Sequence, residues 1–159
     1  MKYLSRLTAL LMGALIAISV ASRTHAENIL AADPDGVFTY FKDNSFPSRL
    51  TTDAVDDPLV QVKYLDTVFD VYFYGCVGNT NCQSVQFHKG YATDGTVTMA
   101  QTNAWNADTE FTHAYVTEDE NVRLEFDVYT GNAGLLPYDF SAIVAIWLDS
   151  LTEFEKHIE

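Results

Sequence analysis

A chain of 159 residues with 22 acidic and 9 basic side chains, a net charge of −13, has room for one domain with a substantial core. It repels phosphate backbones and anionic membrane surfaces, so nucleic acid is excluded as an expected partner. Two cysteines are too few for a disulfide-rich scaffold or a four-cysteine zinc site.

The first 26 residues have the parts of a cleaved secretory signal peptide. Lys2 and Arg6 make a basic start, Leu7 to Ala21 an apolar run, and Thr24-His25-Ala26 a small-residue exit. The run is shorter than the roughly 20 residues that cross a bilayer, and Ser22-Arg23-Thr24-His25 follows at once, which disfavours the alternative of a transmembrane anchor. Cleavage after Ala26 leaves residues 27–159 with 6 basic against 22 acidic residues, a net of −16. A periplasmic or secreted location follows, with no stable membrane anchor. The charge suits a basic partner or cations, or simply solubility, because the acids are scattered along the chain.

Asp33-Pro34 reads as an N-cap with proline in the first turn, and Val37, Phe38 and Phe41 continue it as a helix to about Asn44. Pro47 ends the helix, and Thr51 to Pro58 reads as strand fringe and turn, with a short extra strand near Leu50 as an option. From Leu59 the period is two: Val60, Val62 and Tyr64 share one face, and Gln61 and Lys63 the other. Val68 to Cys76 and Cys82 to Tyr91 follow as aromatic and β-branched strands, so three strands meander antiparallel.

Cys76 and Cys82 bracket a short turn, and in an oxidising compartment they are expected to form a disulfide. So short a loop limits its stabilisation to about 2 kcal/mol. Without a Cys-x-x-Cys, a redox-active role is disfavoured.

Asp94-Gly95-Thr96 turns the chain, and Thr96 is expected to cap a helix from Val97 to about Ala107, with Ala100, Ala104 and Trp105 inward. Phe111 to Thr117 and Asn121 to Thr130 read as a hairpin tipped by Glu118-Asp119-Glu120, with Val122, Leu124, Phe126 and Val128 on one face. After a loop from Gly131 to Pro137, a last helix carries Phe140, Ile143, Val144, Trp147, Leu148, Leu151 and Phe154 at helical spacing. The expected fold is α+β: a single two-layer domain, an antiparallel sheet of about five strands covered by helices, in the order α-β-β-β-α-β-β-α.

Several segments together resemble the YbjN-domain family of bacterial sensory transduction regulators. They are Phe73-Tyr74-Gly75-Cys76, Cys82-Gln83-Ser84-Val85-Gln86-Phe87, Asn103-Ala104-Trp105-Asn106, Ala114-Tyr115 and Leu124-Glu125-Phe126-Asp127, with Thr51-Thr52-Asp53 and Trp147 in support. The resemblance covers nearly all of residues 27–159. It implies a fold similar to type III secretion chaperones, with helices on one side of an antiparallel sheet and a tendency to bind other proteins, and it supplies no catalytic residues. Where family members often carry basic residues before the phenylalanine, this chain has Ala107-Asp108-Thr109-Glu110 ahead of Phe111. Trp105 and Asn106 have a structural reading, the indole filling the helix–sheet core and the amide capping the helix end.

Motifs for chemistry are lacking. There is no Gly-x-Ser-x-Gly elbow and no phosphate-cradling glycine loop. His88 and His113 alternate with core residues and are expected to face solvent, while His157 lies near the end. Glu125 and Asp127 point the same way from one strand, the best-placed carboxylate pair for a hydrolase, but a solvated outer face accounts for them as well. The acidic groups around Asp53 and Glu118 lack the calcium-loop pattern.

No catalytic, cofactor-binding or metal-ligating residue is assigned, and no cofactor is expected. The expected function is an exported, non-catalytic protein-binding or chaperone-like regulatory domain, its partner another protein of basic character or a second copy in a homodimer. The alternative is a periplasmic small-molecule or cation-binding sensor, and after it a carboxylate-dependent hydrolase.

Overall fold

The computed structural model describes residues 27–159; the signal peptide expected over residues 1–26 lies outside them. The elements run α1 (Pro34–Asp43), β1 (Ser48–Thr52), β2 (Pro58–Tyr64), β3 (Thr67–Tyr74), β4 (Ser84–Tyr91), α2 (Met99–Asp108), β5 (His113–Val116), β6 (Val122–Tyr129) and α3 (Pro137–Ile158). The six strands form one antiparallel sheet in the order β1-β2-β3-β4-β6-β5. The β5–β6 hairpin therefore adds to the meander through its second strand.

The α+β expectation holds, with one strand more than the order α-β-β-β-α-β-β-α contains. The addition is β1, paired with β2 from Ser48↔Val62 to Thr52↔Pro58. It is a five-residue edge strand in which Leu50 supplies the one large aliphatic residue, so its period is too brief to stand out from the turn beside it.

Alternation builds the core. Val60, Val62, Phe69, Val71, Phe73, Val85, Phe87, Leu124, Phe126 and Val128 all point to one face and are buried. All three helices lie there. Phe41 of α1 meets Phe69 and Phe87 edge-on with ring centroids 6.0 and 6.5 Å away, and Trp147 of α3 lies 5.8 and 5.7 Å from the same two rings. Burying one such aromatic side chain stabilises by about 2–3 kcal/mol, so these contacts fix the helix layer to one side.

α1 forms as its sequence suggests: the Asp33 side chain accepts from the Gly36 amide, and Pro34 occupies the first turn. α2 differs from expectation. Its N-cap is Thr98, whose hydroxyl accepts from the Gln101 amide while the Gln101 side chain accepts from the Thr98 amide. Thr96 instead donates its hydroxyl to the Thr93 carbonyl at 2.6 Å, closing the preceding turn. Its buried stripe is Thr102 and Trp105, three residues apart, while Ala100 and Ala104, expected inward, lie off that stripe and are exposed.

Candidate functional site

The sheet face opposite the helices is polar and is left uncovered by the described residues, and strand register decides which residues meet on it. Gln61, Asp70, His88, Glu125 and His113 stand side by side across β2, β3, β4, β6 and β5. In the next row Tyr72 faces Gln86, and Gln86 faces Asp127. Tyr74, Tyr115 and Tyr129 lie on the same side and are exposed.

Glu125 is the hub. It is only 8 % exposed, which corrects the expectation that it sits on a solvated face with Asp127; Asp127 does. A carboxyl group so buried needs hydrogen-bond partners around it. Tyr115 donates its hydroxyl to Glu125 Oε1 at 2.8 Å, His113 Nε2 lies 3.2 Å from Oε2, and Gln86 Nε2 donates to Oε2 at 3.3 Å. The same Gln86 amide donates to Asp127 Oδ1 at 2.8 Å, joining the two carboxylates. Tyr74 reaches the Gln86 carbonyl oxygen at 3.4 Å. The pair Glu125 and Asp127 is thus held by a network of amide and phenol donors.

His88 is a second correction. It sits on the uncovered face but is half-buried, its Nδ1 out of solvent with no partner, and the Tyr72 ring meets it edge-on at 5.4 Å. Burial holds its pKa below the ordinary histidine value, although the neighbouring Glu125 and Asp70 pull the other way. The imidazole is therefore neutral near pH 7. Tyr72 and Tyr74 have raised pKa values, first through burial and then through nearby carboxylates, Asp70 for Tyr72 and Glu125 for Tyr74. Tyr115 is raised by burial and by its bond to Glu125. All three phenols keep their protons near pH 7, and Tyr74 and Tyr115 act as donors.

At the end of this face, β3 runs through Gly75 into a loop in which Cys76 and Cys82 are bonded to each other. Cys82 is buried against the core. Within the loop, Asn79 donates to the Val55 carbonyl and to Asp57 Oδ1, both at 3.0 Å, tying it to the β1–β2 turn. The disulfide thereby steadies the strand end that carries Tyr74.

Trp105 and Asn106 lie on the other side. The indole is buried against Phe154, with centroids 5.0 Å apart, as a core role requires. Asn106 does not cap α2. Its Oδ1 accepts from the Ala114 amide at 2.7 Å and its Nδ2 donates to the Ala114 carbonyl at 2.9 Å, fastening the helix to edge strand β5. His157 of α3 lies against Trp105, and its Nε2 donates to the Gln101 carbonyl at 2.8 Å.

Two members of the network, Gln86 and Tyr115, stand in the sequence reading only as parts of the family segments, with no role assigned to them. Alternation alone puts each on the outer face, but which strand stands beside which is a tertiary property, so no spacing along the chain announces their meeting at Glu125. Among the described residues, no three His, Cys, Asp or Glu side chains are placed to hold a metal ion, and no helix is long and apolar enough to cross a membrane.

No curated protein matches the chain. A family model does, over residues 33–159; it is YbjN, described as "Putative bacterial sensory transduction regulator", a description that names a regulator and no reaction. Because that match spans every element from α1 to α3, the chain belongs to the YbjN family.

Proposed function

We propose that this YbjN domain is an exported, non-catalytic binding module that engages another protein through the uncovered face of its sheet. The observation that carries the reading is the cluster of Tyr72, Tyr74, Tyr115 and Tyr129 on a face that no helix among the described residues covers, with Tyr74 46 % and Tyr129 70 % exposed. Tyrosine is suited to such a surface. Its ring buries apolar area at small entropic cost and its hydroxyl still finds a partner, which is why it is enriched at protein interfaces. The network around Glu125 holds the Tyr115 and Tyr74 rings before a partner arrives, which reduces the ordering cost of association.

The test is cross-linking in intact cells with the tagged full-length chain, followed by mass spectrometry of the captured proteins and of the bait. One protein captured repeatedly, and lost in the Tyr72→Ala/Tyr74→Ala variant, is the expected result. The bait is expected to begin at Glu27. Equal capture by the wild type and the double variant would remove the sheet face from the interaction, and a bait still beginning at Met1 would remove export.

A further inference from the structure

On the helix side, α2 and α3 diverge around a groove of about 630 Å³. Its size is within the range of ligand-binding clefts. Trp105 and Ile146 line it, with Asp108 and Glu110 from the α2 end and Asp149 and Glu153 from α3. All four acids are exposed.

The charges are placed against local preference. Asp108 closes α2 at the negative end of the helix dipole, and the last turn has no basic residue. Asp149 and Glu153 are four apart on α3, where like charges repel. Lys156, the one lysine or arginine lining the groove, is held by Glu153 at 2.8 Å. The rim is therefore negative with little internal relief. Beneath it Trp105 is 5 % exposed, and its indole Nε1 is out of solvent.

A ligand that answers these features carries more than one positive charge and aliphatic stems for the apolar lining. A peptide segment with lysine or arginine side chains has both: ammonium or guanidinium heads for the carboxylates, and methylene stems for the edge of Trp105 and for Ile146. We propose that the α2–α3 groove is a docking site for a lysine- or arginine-bearing segment of a partner protein. The assignment rests on the reading of the chain as a protein-binding domain, and it adds a second surface remote from the sheet tyrosines.

The test titrates an acetylated and amidated Lys-Leu-Arg-Ala-Lys peptide into the protein as cells process it, following the two indole N–H resonances by NMR. Trp105 is expected to shift while the core Trp147, 0 % exposed, stays fixed. The Asp149→Asn/Glu153→Gln variant should bind at least tenfold more weakly, and the Tyr72→Ala/Tyr74→Ala variant as tightly as the wild type. The same peptide with glutamate for each basic residue should not bind. A stationary Trp105 resonance, an unchanged affinity in the groove variant, or equal binding of spermidine would overturn the proposal, the last because charge alone would then suffice. Loss of cellular capture in the sheet-face variant with the titration intact would confirm that the two surfaces act separately, whereas a failed titration with capture intact removes the groove alone.

Discussion

Asn106 and Ala114 are joined by a reciprocal pair of hydrogen bonds: the α2 amide donates to the strand carbonyl at 2.9 Å and accepts from the strand N–H at 2.7 Å. The side chain occupies the place a further strand would take beside β5, a four-residue edge that would otherwise leave those groups unpaired within the sheet. Asn106→Ala is expected to destabilise by about 2 kcal/mol, since two hydrogen bonds are lost together. Asn106→Asp keeps the acceptor and loses the donor, so it should fall between. Urea unfolding of the three proteins checks the order.

Glu125 invites a sharper comparison. Replacing it by alanine leaves Tyr115, His113 and Gln86 facing a void on the sheet, and a loss of about 2–3 kcal/mol is expected. Glu125→Gln preserves the shape but sets a second amide donor against Gln86, and should recover only part of the loss. An equal stability of Glu125→Ala and the wild type in denaturant unfolding would show that the network does not support the fold.

His88 gives the fold a pH dependence whose sign follows from its lowered pKa. The unfolded chain takes up a proton near the ordinary histidine value of about 6.5, before the folded one does. The contribution of neutral His88 is therefore fully present above about pH 6.5 and is lost as pH falls through the folded value. Asp70, Glu125, Arg123, Lys89 and the Tyr72 ring are the groups around it. His88→Gln should flatten the decline in melting temperature between pH 7.5 and 5 relative to the wild type.

The Cys76–Cys82 bond closes a loop of sequence separation 6, so removing it by Cys76→Ala should lower stability by about 2 kcal/mol. Its local effect should be larger than its global one. Hydrogen exchange is expected to rise for residues 75–83 and at the Tyr74 end of β3, with little change in α1 or α3.

Gly134 has φ +71°, and a Cβ there would lie 2.9 Å from the Ile29 carbonyl and 2.7 Å from Leu30 Cγ. It allows the Ile29–Leu135 bridge that seals the amino-terminal segment onto the start of α3. Gly134→Ala combines backbone strain with a clash against main chain, and a loss above about 1 kcal/mol is expected in thermal unfolding.

Much of this architecture was legible along the chain because it depends on short-range chemistry. The period-two run through Val122, Leu124, Phe126 and Val128 and the helical stripe from Phe140 to Phe154 each bury the face their spacing dictates. The Asp33 cap and the position of Pro34 depend on neighbours within one turn. The expected cap of α2 is Thr96; Thr98, two residues on, prevails because Gln101 completes its capping box. The edge strand β1 has few apolar positions, so it was legible only as the optional strand near Leu50.

What the sequence by itself determined is a compact α+β domain of the YbjN pattern, its layers and most of its core, since periodicity and caps are written in consecutive residues. Only the tertiary structure decided that Glu125 is buried, that Asn106 holds Ala114 and that acids from α2 and α3 share a groove. Those meetings join residues from separate elements, and their distances are set by strand order and helix placement, which no local pattern contains.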